Sequence, residues 1–349
     1  MKTSVVILNW NGKSLMEGLL PVVIENTLLG TSAEVELVVA DNGSTDGSLA
    51  FLETRYPDLV KRIDLSHNHG FAEGYNQALS QLDSDYAVLL NSDVEVTPHW
   101  LPLLIDYMDA HPDVAACQPK IRSLRHREYF EHAGASGGFI DFLGYPFCRG
   151  RVLSLVEKDS GQYDAPVDLF WATGACLCVR MDDFRNAGGF DARFFAHMEE
   201  IDLCWRFRSR GRRIVCLPQS IVYHLGGATL NKENPRKTFL NYRNNLLMLY
   251  KNCHNGHFVK VFIIRLFLDY LSALVFLLSG KFGDAKAVLR ARWSYWQMKP
   301  QFRTQRLENR EQTKLSHIPE IYRGSMIFGY YFSGKRYFTD FFPEKKPVK

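Results

Sequence analysis

Three carboxylates, Glu199, Glu200 and Asp202, stand within four positions at the head of "HMEEIDLCWRFRSRG", just ahead of an apolar and aromatic run. Acids in the first turn of a helix favour its dipole by about 0.3–1 kcal/mol each, and that reading is open for all three. Helical spacing nevertheless separates them. Residues three or four apart share a face, so Asp202 can meet Arg206 and Glu199 lies near Asp202, while Glu200 points toward Leu203, Cys204 and Phe207. An apolar neighbourhood raises a carboxyl pKa and makes the group a better proton acceptor.

Other chemistry-bearing residues follow apolar runs. Asn9, Asn11 and Gly12 come after "TSVVIL", Asp41, Asn42 and Gly43 after "VELVVA", and Asn91, Ser92 and Asp93 after "YAVLL". A solvated loop accounts for any one of these turns, whereas three in succession point to a shared site. "NHGFAEGYNQALSQL" opens with Asn68 as a helix cap. Gly70 and Gly74 in its first turns let a bulky ligand approach the backbone N–H groups. Asn76 can reach the same place or sit on the helix surface. In "FWATGACLCV", Trp171, Thr173 and Gly174 put an aromatic face beside a small-residue turn, which suits ligand packing, with a core role for Trp171 equally open. No G-x-G-x-x-G or G-x-x-x-x-G-K-[ST] provides a phosphate cradle. A nucleotide's charge therefore calls for a divalent cation held by carboxylate, and Asp93 is the candidate ligand.

The elements that must position these groups are legible as βαβ units. "TSVVIL" and "VELVVA" read as strands buried on both faces, with a helix over Lys13 to Leu29 between them, and "DYAVLLNSD" and "DVAACQP" continue the pattern. The fold class is α/β with a mostly parallel sheet, whose ligands gather at the carboxyl ends of the strands. The segment from Glu128 to Gly150, rich in glycine and aromatic residues, reads as a mobile loop that helps select acceptor or donor. Seven cysteines without a C-x-x-C read as reduced thiols, mostly core hydrophobes. The apolar run at the N-terminus is too short for a signal peptide, which places the catalytic part inside the cell.

Charge is unevenly distributed. Residues 236–314 hold fifteen Lys and Arg against four Asp and Glu, although the whole chain has a net charge of only +4. Apolar residues dominate from Phe258 to Leu278, interrupted by Lys260, Arg265 and Asp269. A spanning helix wants about 20 largely uncharged residues. Interfacial attachment by helices bearing Trp293, Tyr295 and Trp296 near basic residues fits better, with a buried helical pair as the alternative. No recognition motif accompanies the basic residues, so nucleic acid is not an expected partner. The expected division is residues 1–252 as a catalytic domain and 253–349 as a basic, apolar, helical appendage associated with a membrane.

Together "VVILNWNG", "VVADNGSTDGS", "NHGFAEGYNQAL", "LLNSDVEV", the segment from "WATGACLCVR" to "WRFRSRG", and "YHLGGAT" resemble the family 2 glycosyltransferases, particularly the rhamnosyltransferase-like branch of bacterial surface polysaccharide synthesis. The resemblance runs from about Ser4 to about Asn252. It implies a GT-A fold and inverting transfer of a sugar from a nucleotide-diphosphate donor to a hydroxyl of a saccharide or lipid-linked acceptor. Asn9 and Asn11 would line the base and ribose pocket, and Asp41 would bond the base. Asn91-Ser92-Asp93 occupies the place of the family's D-x-D, with Asn for the first Asp, and His224 in "YHLGG" matches a second metal or pyrophosphate contact. The cation would be Mg2+ or Mn2+. The acidic cluster corresponds to E-D-x-D, whose second residue, the catalytic base, is Glu200, with Glu199, Asp202 and Arg206 supporting it. The branch suggests dTDP-rhamnose as donor, with UDP-sugars close behind, and a peripheral position on the inner face of the cell membrane. A nucleotidyltransferase would show a basic Gly-rich N-terminal loop. A sugar-nucleotide sensor would not need Glu200, and a membrane scaffold would need neither Glu200 nor the two aspartates.

Overall fold

The computed structural model describes residues 1–28, 34–132, 134–226, 234–315 and 317–343. Nine strands among these form the central sheet: β1 (Thr3–Asn9), β2 (Val35–Asp41), β3 (Lys61–Asp64), β4 (Tyr86–Leu90), β5 (Val94–Val96), β6 (Val114–Ser123), β11 (Val167–Asp168), β12 (Cys176–Arg180) and β13 (Arg213–His224). Their order is β11-β13-β6-β12-β4-β1-β2-β3, with β5 paired to β13. Strands β4, β1, β2 and β3 are parallel, while β12 inserts antiparallel between β4 and β6. The expected mostly parallel α/β sheet is therefore present, with β5, β11 and β12 reversed.

The register explains why the polar turns converge. Asn9 of β1 lies opposite Asp41 of β2, and Ile7 lies opposite Leu90, so Asn91 leaves β4 at nearly the same level. Because β12 runs the other way, its entry, residues 172–175, reaches that same edge beside Leu90. His224, the last residue of β13, is opposite Val94, which brings it to Asp93.

Helices α1 (Lys13–Leu28), α2 (Ser48–Arg55), α3 (Gly70–Ser80), α4 (Trp100–Ala110), α5 (Met181–Asn186) and α6 (Glu199–Ser209) flank the sheet. In α1 the buried Met16, Leu20, Val23, Ile24 and Thr27 recur on one face, and that burial holds the helix together across Pro21.

The stretch from Glu128 to Gly150 departs from expectation. It contains β7 (Gly138–Asp141) and β8 (Pro146–Cys148) of a second sheet, completed by β9 (Arg151–Val152), β10 (Leu155–Val156) and β14 (Ile321–Tyr322). Phe139 and Phe147 are core: they pack against Phe338 and Phe342 from the C-terminal end of the chain. Those long-range partners order a segment whose glycines alone suggest a loop.

The C-terminal region continues with α7 (Pro235–Asn252), α8 (Asn255–Leu278), α9 (Phe282–Met298), α10 (Arg303–Glu311), α11 (Met326–Phe332) and α12 (Phe338–Phe341). It does not stand apart at residue 252, since β14 pairs with β7. Of the three charges that interrupt α8, Arg265 and Asp269 face the protein, while Lys260 is exposed. Buried Arg265 donates to Asp269 at 3.2 Å, to the Leu143 carbonyl at 3.0 Å and to Asn245 at 2.5 Å, and Asp269 also accepts from Arg292 at 2.5 Å. Opposite them, Val259, Ile263, Phe267, Leu271, Leu274 and Leu278 form an exposed apolar stripe. By length and composition alone, Gly256–Leu278 is long enough to cross a membrane.

Candidate active site

The floor of the site is a turn held by β1 and β2. Asn9 donates to Asp41 at 2.9 Å and to Ser44 at 3.1 Å, and the Ser44 N–H donates to the other Asp41 oxygen at 2.8 Å. Asp41 is completely covered. Asp41 forms the turn, with one internal donor on each of its oxygens. The buried acceptor left over is Asn9 Oδ1, which has no hydrogen-bond partner. Asn11, in the left-handed region at φ 51°, lies exposed on the rim and accepts from the Thr45 N–H at 2.7 Å.

Asn42 carries the connection to α3. Its amide donates to the Gly70 carbonyl at 3.0 Å and accepts from the His69 N–H at 3.0 Å. Asn68 accepts from the Gly70 N–H at 2.8 Å, satisfying one of the donors a helix start leaves open. Gly70 has φ +79°, and a Cβ there would lie 2.5 Å from the Phe195 ring, so conformation and space both require glycine.

Two expected ligand contacts prove structural. Asn76 donates to the Phe190 carbonyl and accepts from the Phe190 N–H, both at 2.9 Å, so its amide braces the chain after α5 rather than facing a donor. Trp171 is buried, donates to the Phe139 carbonyl at 2.9 Å and lies over Gly138, which makes it core. Gly174 is buried in the 172–175 turn, where a Cβ would meet the Phe71 ring at 2.9 Å.

Asp93 and His224 do meet. Asp93 Oδ1 is 3.0 Å from His224 Nε2, Glu131 Oε2 is 3.3 Å from Nδ1, and Asn91 Nδ2 is 3.5 Å from Nε2. Burial opposes the imidazolium, but hydrogen bonds and charges from Asp93 and Glu131 outweigh it and push His224 up to about 10. Glu131 was not anticipated, since it lies on another segment nearly a hundred residues from His224 in sequence. Gly227, Ala228 and Thr229 of "YHLGGAT" lie outside the described residues. Among the described residues no group of three His, Cys, Asp or Glu side chains could hold a metal ion. Asp93 offers a carboxylate to a cation, whereas His224, held as imidazolium between Asp93 and Glu131, would have to give up its proton before a ring nitrogen could ligate one.

The acidic cluster divides as its spacing predicts. Asp202 is fully buried and accepts from Arg206 at 3.0 Å, Lys251 at 2.8 Å and Asn252 at 2.8 Å, and Lys251 also reaches Asp191 at 2.8 Å. This network ties α6 to α7 and leaves Asp202 no access to an acceptor. Glu199 is buried beside Glu200, and burial followed by the charge of Glu200 holds its carboxyl well above the usual range. Glu200 is half-buried, its Oε2 has no hydrogen-bond partner, and burial pushes its carboxyl up to about 7 against the pull of nearby backbone N–H groups.

Strain concentrates immediately before Glu200. Phe195, His197 and Met198 all take positive φ, 66°, 70° and 73°, a conformation that side chains of this bulk rarely adopt. Asn244 of α7 holds them: its single amide nitrogen donates to the carbonyls of Phe194 at 2.9 Å, Ala196 at 2.9 Å and His197 at 2.8 Å. No sequence pattern singled out Asn244, which sits among the polar and apolar residues of an ordinary helix. The polar residue at a fully buried position is the only trace it leaves.

A mostly parallel sheet with β5, β11 and β12 reversed, polar turns gathered at the carboxyl edge of its parallel strands and a helical C-terminal region define a GT-A fold. Residues 4–159, a little under half of the chain, match Glycosyl transferase family 2. The chain is 29% identical over 211 residues to the N-acetylglucosaminyl-diphospho-decaprenol L-rhamnosyltransferase of Mycobacterium tuberculosis, covering 56% of this chain and 68% of that one. Its fold is shared with S. aureus TarS 1-349 in complex with UDP-GlcNAc, at TM-score 0.56 and 16% identity, over 89% of each chain. It is also shared with the mannosyltransferase PcManGT of Pyrobaculum calidifontis in complex with GDP-Man and Mn2+, at TM-score 0.52 and 14% identity, over 89% of this chain and 84% of that one.

Proposed function

We propose that this protein transfers a hexose, rhamnose first among candidates, with inversion from a nucleotide-diphosphate donor to a hydroxyl of a lipid-linked saccharide. The observation that carries the reading is the half-buried carboxyl of Glu200, with Oε2 free of any hydrogen bond, raised to about 7 and delivered by a strained loop that touches the helix α3. Glu200 takes the proton of the acceptor hydroxyl as its oxygen attacks the anomeric carbon. The bond from that carbon to the diphosphate breaks, and the nucleotide diphosphate departs with the electron pair. A divalent cation, when bound, neutralises the diphosphate charge, and Asp93, with His224 once deprotonated, would hold it.

The mycobacterial relative's name specifies a diphospho-decaprenol acceptor. The exposed apolar stripe of α8 suits the same class of substrate, because it sets one face of the helix toward an apolar phase while Arg265 and Asp269 remain bonded inside the protein. That face supports a peripheral position on a membrane, with the inner surface as the side the sequence leads one to expect. The test is a panel of dTDP-rhamnose, UDP-hexoses and GDP-mannose with an isoprenyl-diphosphate glycoside, in Mg2+ or Mn2+ and in chelator. Transfer from one donor with cation dependence supports the reading, and donor binding without transfer to any acceptor refutes it.

A further inference from the structure

A cleft of about 680 Å3 opens between α7 and α9 and is lined by Arg193, Arg236, Arg243, Lys286 and Arg290, with no acidic residue in its lining. Small-molecule sites commonly span about 300–1,000 Å3. Arg193 is neutralised by Asp191 at 2.8 Å. Arg236, Lys286 and Arg290, by contrast, are exposed and form no ion pair among the described residues. The nearby carboxylate of α9, Asp284, accepts instead from Thr238 at 2.5 Å. Like charges gathered without counter-charge repel one another, and a polyanion relieves that repulsion with charge-assisted hydrogen bonds.

Two continuities say which polyanion. At one end the cleft is walled by Phe195, whose ring lies over Gly70 at the donor side and under the Arg236 guanidinium at 4.9 Å, and which precedes Glu200 by one turn of chain. Helix α9 presents Lys286 and Arg290 to the cleft and also carries the exposed Leu289, Trp293 and Trp296, of which Trp296 packs on Phe262 of α8 at 5.4 Å. An acceptor lying from the apolar band, across the cations, to the catalytic loop is apolar, then doubly anionic, then sugar. We infer that this cleft holds the diphosphate of an isoprenyl-diphosphate acceptor, an assignment that rests on the lipid-linked reading of the acceptor given above.

The test compares the full chain with the double variant Lys286→Gln/Arg290→Gln, using a farnesyl-diphosphate glycoside and the corresponding farnesyl glycoside without diphosphate. Both substituted side chains are exposed, so the fold is retained. The ratio of kcat/KM for the diphosphate acceptor over the diphosphate-free one should fall about tenfold or more, with the donor KM unmoved, as expected for losing two charge-assisted bonds. Titration of farnesyl diphosphate against farnesol gives the same comparison without turnover, and the preference for the diphosphate should shrink in step. An unchanged ratio and unchanged preference overturn the inference while leaving the lipid-linked acceptor intact. Loss of binding to phosphatidylglycerol vesicles with an unchanged ratio also overturns it, and assigns the cations to membrane headgroups. Failure of the wild-type chain to glycosylate either farnesyl acceptor, while it glycosylates a soluble saccharide, removes the acceptor reading and the inference together.

Discussion

The Phe195 carbonyl accepts the Phe71 N–H at 2.7 Å, so the strained loop that delivers Glu200 is bonded directly to α3. The loop before Glu200 and the start of α3 are thereby one construction. Asn244 fixes the loop from beneath through three carbonyls.

Replacing Asn244 by Leu, similar in size but without donors, should release the loop. The buried Phe194 carbonyl and the part-buried Ala196 and His197 carbonyls lose the two amide protons they share, each proton worth about 1 kcal/mol, and the positive-φ residues can relax. We expect kcat to fall by about tenfold to a hundredfold with donor Kd nearly unchanged, measured by initial rates and donor titration. A proportional rise in donor Kd instead would show that Asn244 serves the pocket and not the base.

The pH profile should carry the signature of Glu200. Its carboxyl is raised to about 7, above its ordinary value, and only the ionised form accepts a proton. Hence kcat/KM should rise about tenfold per pH unit below that point and level off above it. Stability runs the other way. A group whose folded pKa is raised favours the folded state at low pH, and that contribution is lost as pH rises from about 4.5 toward 7.

Lys251 bridges Asp191 and Asp202 while itself almost inaccessible. Lys251→Met leaves two buried carboxylates short of a cation, which should destabilise the fold by about 3–5 kcal/mol in denaturant unfolding. Burial works to raise the Asp191 carboxyl, yet Lys251 and Arg193 hold it at about 2, so its contribution is present above the ordinary carboxylate range and lost as pH falls through about 2.

The sequence was most informative where local pattern and tertiary demand coincide. Apolar runs followed by polar turns located β1, β2 and β4 and the edge where Asn9, Asp41 and Asn91 meet. Helical spacing separated Glu200 from Asp202 correctly, because the Asp202–Arg206 pair is an i,i+4 contact within α6. It was least informative where a residue's role depends on a distant partner. Asn76 and Trp171 carry groups suited to ligands, but the chain at Phe190 and Phe139 engages them first. The segment from Glu128 to Gly150 folds as a sheet only because aromatic residues some two hundred positions later cover it. Glu131 and Asn244 leave no local signature at all. The charges in α8 had suggested a broken apolar helix, whereas Arg265 and Asp269 are its inward face.

The most direct test is Glu200→Gln, read as transfer rate beside donor Kd and thermal stability. The substitution keeps shape and removes the proton acceptor, and general-base catalysis typically contributes about 10²–10⁴-fold. Transfer should fall within that range, with donor Kd unchanged and Tm at pH 8 equal or higher, since a partly buried charge without a partner is gone. Turnover at the wild-type rate in a folded variant that binds donor would contradict the assignment of Glu200 as the base.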